Sequence, residues 1–195
     1  MTNEAIQMRI SLEGIEPEIW RRFVVDSSIS LHRLHEIIQT VMGWENEHLY
    51  SFVIQKTEYQ LPVPGGDPFG FMGAGRAPVN AKKTMLHGLE LRPRQKFRYT
   101  YDFGDDWVHT ILVEKVTGIE GCSIAPVCLE GERSCPIEDC GSIPGYEHIL
   151  HILKNAETDD DKELLEWVGE GYDPESFDLK GVNAALKRKK RVSRK

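Results

Sequence analysis

The chain has 195 residues, 40% hydrophobic and 28% charged, with a formal net charge of -7. That is enough apolar material for one packed domain without disulfide staples, and no apolar run is long enough to cross a bilayer. The first ten residues carry Glu4 and alternate apolar with polar positions, unlike a secretory leader. A cytoplasmic location without membrane attachment is therefore expected, and in a reducing compartment four cysteines do not imply two disulfides.

Ile6, Met8, Ile10 and Leu12 alternate with polar neighbours, and Ile19 to Val25 follows the punctuation of Gly14 and Pro17, so two strands paired as a hairpin are predicted. Ser30 precedes Leu31, Leu34, Ile38 and Val41 at helical spacing, which predicts an N-capped amphipathic helix ending at Gly43, with His35 on or beside its apolar stripe. His48 to Ile54 reads as a strand. Pro62 to Pro78 is so rich in Gly and Pro that a long loop is expected.

Phe97, Tyr99, Tyr101 and Phe103 alternate, then Gly104-Asp105-Asp106 turns the chain into Trp107 to Val116, predicting a β-hairpin with Trp107, His109, Ile111 and Val113 on one face. From Pro144 the period becomes helical through Tyr146, Ile149, Leu150 and Leu153. Thr158 with Asp161 resembles a capping pair before Leu164, Leu165 and Trp167, and a last helix starts near Leu179. Strands lead and helices follow, so the expected architecture is α+β: one roll-like domain over residues 1–186, mainly antiparallel sheet with an early helix and a helical C-terminal part.

Residues 187–195 form a basic tail with seven Lys or Arg and no acid. Setting those seven aside leaves 17 basic against 31 acidic residues, a body of -14. The tail reads either as a solvated extension of the last helix or as an electrostatic attachment to nucleic acid.

Cys128, Cys135 and Cys140 crowd into thirteen residues. Six residues separate the first pair, four the second, and five separate Cys122 from Cys128. None is the two-residue gap by which one turn aims two thiolates at a tetrahedral zinc. Metal binding, with zinc as cofactor and Cys122 or His109 as a fourth ligand, and free thiols both stay open. Glu138 and Asp139 oppose thiolate formation and disfavour a redox role. His109 reads alternatively as a packed histidine satisfied by Asp102 or Asp106, and His32 and His35 as helix-surface or core-edge residues. Asp102, Asp105, Asp106 and His109 resemble a hard-ligand set for magnesium or manganese, yet a Gly/Asp turn needs no catalytic explanation. There is no P-loop, no nucleophile elbow, and no kinase context around Asp102-Phe103-Gly104.

Several stretches taken together resemble the plasmid Ri ORF-three-like family: Ile19-Trp20-Arg21-Arg22, Leu34-His35, Met42-Gly43-Trp44, His48-Leu49, Tyr99 to Trp107 with His109, Cys135 to Gly141, Gly145-Tyr146, Trp167 and Asp173-Pro174-Glu175. Where members commonly have Pro-Pro-Glu-Asp and then Gly-Gly, this chain has Pro136-Ile137-Glu138-Asp139 and then Gly141-Ser142. The resemblance, over about residues 6 to 186, implies a compact α+β domain associated with mobile elements. It implies no activity, and a resolvase-like label attached to some members finds no recombinase signature here.

Two functional readings follow. The first is an accessory module that binds a protein or peptide, with Tyr99, Tyr101 and Trp107 as surface anchors, Asp102, Asp105, Asp106, Glu138 and Asp139 selecting basic partners, and the cysteine loop as a zinc staple. The second is a metal-dependent hydrolase or nuclease using Asp102, Asp106, His109, Glu138 and Asp139, which requires those groups to converge in a concave site.

Overall fold

A computed structural model describes residues 3–62, 77–120 and 123–192, with the side chains of 189–192 excluded. The long loop expected at Pro62 to Pro78 therefore lies almost wholly outside the described residues, as do Cys122 and the side chains of most of the basic tail. Alternation in the first segment gives β1 (Glu4–Leu12), which turns through Gly14 at a φ of 81° into β2 (Trp20–Asp26). The helix α1 (Leu31–Met42) starts where the Ser30 hydroxyl accepts the Arg33 amide. It stops at Gly43, whose φ of 102° suits a residue without a Cβ.

The chain continues through β3 (Tyr50–Ile54), β4 (Thr57–Gln60) and β5 (Val79–Asn80), a short 3-10 turn (Leu86–Leu89), and the hairpin β6 (Lys96–Tyr101) with β7 (Trp107–Gly118). A strand not foreseen from the sequence, β8 (Val127–Glu132), carries Cys128. Three helices follow: α2 (Ser142–Ile152), α3 (Asp159–Val168) and α4 (Leu179–Val192). Thr158 and Asp161 cap α3 reciprocally, as their spacing predicts.

The strands form one sheet in the order β5-β4-β3-β6-β7-β1-β2-β8, antiparallel except for the short β4–β5 pair. Sheet and helices make a single α+β domain. Alternate residues of the central strands are buried on one face: Ile6, Met8, Ile10 and Leu12 from β1, Trp107, His109, Ile111 and Val113 from β7, and Tyr99 and Tyr101 from β6. Leu31, Leu34, Ile38 and Val41 of α1, Tyr146 of α2 and Leu186 of α4 join the same core. The other face is half-exposed and tied by charges, with Arg22 bridging Glu114 and Glu130, and Arg9 paired with Glu18.

Two arginines are buried, Arg21 and Arg133. Arg21 is 1% exposed, and its guanidinium donates to the carbonyls of Val41 at the end of α1 and of Trp20, Glu132 and Arg133, with the Phe177 ring 4.0 Å away. Burial pulls its pKa down, and the nearby thiols of Cys135 and Cys128 partly oppose the shift. Edge strand β8 is covered by α4, where the Asn183 amide accepts from the Cys128 N–H and donates to the Cys128 carbonyl, both at 2.9 Å. No described helix is long and apolar enough to cross a membrane.

Candidate functional site

The turns that end α1, join β6 to β7 and follow β8 all meet at one corner of the domain. Trp44, just beyond α1, donates its indole N–H to the Pro136 carbonyl at 2.9 Å. The Glu45 amide donates to Glu138 Oε2 at 3.1 Å. The Tyr101 hydroxyl donates to the other Glu138 oxygen and accepts the amides of Glu47 at 3.1 Å and His48 at 3.4 Å. Burial and the Glu138 carboxylate both raise the Tyr101 pKa, which keeps the hydroxyl a donor. The hairpin turn is stitched to the same loop, since Asp105 accepts the Gly141 amide at 3.2 Å and its carbonyl accepts the Ser142 hydroxyl at 2.7 Å.

This scaffold places His48 between two carboxylates. Its Nε2 lies 3.0 Å from Asp139 Oδ1 and its Nδ1 lies 3.8 Å from Asp102 Oδ1. One ligand atom from each of the three residues lies within 4.8 Å of the other two, the one such group among the described residues. Nε2 is shielded from solvent and, despite its distance from Asp139, is not aligned for a hydrogen bond. Asp102 is nearly buried and accepts the Gly104 amide at 2.9 Å, whereas the Asp139 side chain is 70% exposed.

Next to this group opens a cleft of about 590 Å³ between the end of α1, the 134–139 loop and the segment from α3 to α4. Trp167 projects from α3 into it, 50% exposed on a helix with no buried residue. Tyr172 and Phe177 add aromatic wall, and Glu45, Glu47, Glu138, Asp139 and Asp178 add carboxylates. Among the described residues the lining has one cation, Arg21, whose donors are committed to backbone carbonyls.

Several expectations need correction. Tyr99, Tyr101 and Trp107 are not surface anchors: α1 covers their face of the sheet, all three are buried, and the Tyr99 hydroxyl is engaged by His35 at 2.8 Å and Gln39 at 3.0 Å. Alternation showed that they share a face and could not show which face is covered. Asp105 serves the loop junction, and the Asp106 amide closes the turn on the Asp102 carbonyl at 2.7 Å. Neither belongs to the histidine group, and Glu138 faces Tyr101 instead.

The expected metal set of Cys128, Cys135, Cys140 and His109 does not assemble; no three of its sulfur or ring-nitrogen atoms come within 4.8 Å of one another. Cys128 is on β8, with its Sγ against the carbonyls of Arg22 and Glu130. Cys135 sits beside Arg21, and Cys140 lies at the turn near the Ser142 carbonyl. Burial pushes the Cys135 thiol up to about 11, and burial with Asp105 and Asp139 pushes Cys140 up to about 12. His109 is packed edge-on to Trp44, ring centroids 5.2 Å apart, and lacks an aligned hydrogen-bond partner on either nitrogen, so the expected bond to Asp102 or Asp106 is not made. Burial pushes its pKa down to about 3 against weaker support from the backbone at Trp107 and Tyr99, so it is neutral.

The sequence reading placed His48 at the start of a strand and Trp167 in a capped helix, and assigned neither to a site. For Trp167 a signal existed: Asp159 to Val168 offers too few apolar positions to bury a tryptophan on a helix flanked by acids.

The sequence and the fold both have relatives. The chain is 33% identical over 191 residues to y4hQ, an uncharacterised protein of Sinorhizobium fredii, covering 95% of this chain and 92% of that one. The crystal structure of MM3350, a protein of unknown function from Methanosarcina mazei Go1, superposes with a TM-score of 0.75 at 34% identity, covering 92% of this chain and 98% of that one. The model of the family described as plasmid pRiA4b ORF-3-like protein matches residues 4–181, and the chain belongs to that family.

Proposed function

We propose that the protein is a binding module that receives a basic segment of another polypeptide in the cleft beside Trp167. The observation that carries this reading is the lining itself: five carboxylates and a half-exposed tryptophan, with the lone cation buried and spent on carbonyls. An exposed indole in a concave wall suits an apolar or cationic side chain, through area burial or cation–π attraction. The carboxylates select positive charge and repel a phosphate backbone. The loop bearing Cys135 and Cys140 is held by Trp44, Asp105, Arg21 and the Tyr172 hydroxyl, so protein contacts account for its closure.

The test is fluorescence anisotropy with short Arg/Lys-rich peptides carrying one aromatic residue, beside acidic peptides and duplex DNA as probes. The expected result is saturable, salt-weakened binding of the basic peptides, reduced about tenfold by Trp167→Ala and reduced also by Asp178→Asn. Equal binding by both variants, or a preference for DNA, overturns the reading.

A further inference from the structure

We infer that His48, Asp102 and Asp139 bind a divalent transition cation of the manganese or zinc type. The inference shares Asp139 with the cleft wall, but it concerns the rim of the corner and needs no occupant in the cleft.

Three observations support it. The first is spacing. In a site with metal bonds of about 2.1 Å, adjacent ligand atoms lie about 3 Å apart and more distant ones about 4 Å. The 3.0 Å between His48 Nε2 and Asp139 Oδ1 matches adjacent ligands, and the Asp102 oxygen stands within the 4.8 Å that encloses the group.

The second is the state of His48 Nε2. It has lost water without gaining an aligned hydrogen bond, a costly condition for a ring nitrogen. A metal–nitrogen bond uses that lone pair. Asp102 Oδ1 lies 3.8 Å from Nδ1, too far for a hydrogen bond to the ring, and so is left to serve as the second carboxylate oxygen of the group.

The third is charge. The segments that build the corner, residues 44–54, 99–109 and 134–147, contain eight Asp or Glu and no Lys or Arg. Carboxylates drawn together with no neighbouring cation in their own segments repel one another, and a bound divalent ion removes that repulsion. One imidazole with carboxylate oxygens favours manganese, zinc or a similar ion over calcium and magnesium, which prefer oxygen alone. The exposed side of Asp139 leaves further coordination positions to water.

The experiment uses the full chain after chelator treatment and dialysis, titrated with manganese(II) chloride while free ion is followed by electron paramagnetic resonance. One saturable site per chain is expected, with zinc competing. Asp139→Asn, at an exposed position where the fold is undisturbed, weakens it about tenfold or more, and His48→Gln does the same. Asp178→Asn, on the cleft wall, leaves manganese uptake unchanged, which separates this site from the peptide cleft. Absence of saturable uptake, or uptake equal to wild type in Asp139→Asn, overturns the inference.

Discussion

The Trp44 indole and the Pro136 carbonyl, 2.9 Å apart, hold the end of α1 to the loop that carries Glu138 and Asp139. Because Trp44 also stacks on Tyr101 at 5.0 Å, one side chain joins helix, sheet and loop. Trp44→Phe keeps a ring but strands a buried carbonyl. A loss of about 1 kcal/mol in urea-denaturation stability is expected, and an unchanged midpoint would show that the loop is held by its other contacts alone.

Arg21 has no carboxylate among its hydrogen-bond partners; its work is to satisfy carbonyls. Arg21→Met preserves much of the apolar stem and leaves those acceptors buried without a donor. Destabilisation of about 3 kcal/mol or more is expected, read as a lower unfolding midpoint by circular dichroism. Near-wild-type stability would mean that water replaces the guanidinium.

His109 should make the protein acid-sensitive. Its folded pKa of about 3 lies below the ordinary 6.5, so the unfolded chain takes up a proton first as pH falls. Its contribution is therefore intact above about 6.5 and declines towards 3 at about 1.4 kcal/mol per pH unit. His32, also lowered by burial, acts in the same direction and is common to wild type and variant. The stability difference between wild type and His109→Phe, measured from pH 7 to pH 5, should shift in favour of the variant as pH falls; parallel curves would contradict the assignment of a neutral, buried imidazole.

The three described thiols are held protonated by burial. They should react slowly with a thiol reagent at pH 8 in the native protein and rapidly in denaturant. Changing Cys128, Cys135 and Cys140 together to Ser should leave manganese uptake at the corner unaltered. If that variant keeps its fold by circular dichroism and loses the ion, the thiols are ligands and the assignment to His48, Asp102 and Asp139 fails.

Local chemistry made much of the fold readable. Ser30 and Gly43 announce both ends of α1, the alternation on either side of Gly104-Asp105-Asp106 gives the β6–β7 hairpin, and Thr158 with Asp161 marks the start of α3. β8 escaped because Val127 to Glu132 buries a single residue, Cys128, and reads as acidic loop. The corner escaped for a different reason. His48, Asp102 and Asp139 are unremarkable each in its own segment, and they meet through tertiary contacts made by Tyr101, Trp44 and Asp105, which no local periodicity encodes.

The Asn183 amide meets the N–H and carbonyl of Cys128 as a neighbouring strand would. It acts as a one-residue surrogate strand that seals this flank of the sheet against an incoming chain. The opposite flank ends in the two residues of β5, too short a template for stable pairing. Growth by edge-to-edge addition is thereby blocked at Cys128 and poorly templated at β5, which directs recognition of other molecules to side chains and shaped surfaces.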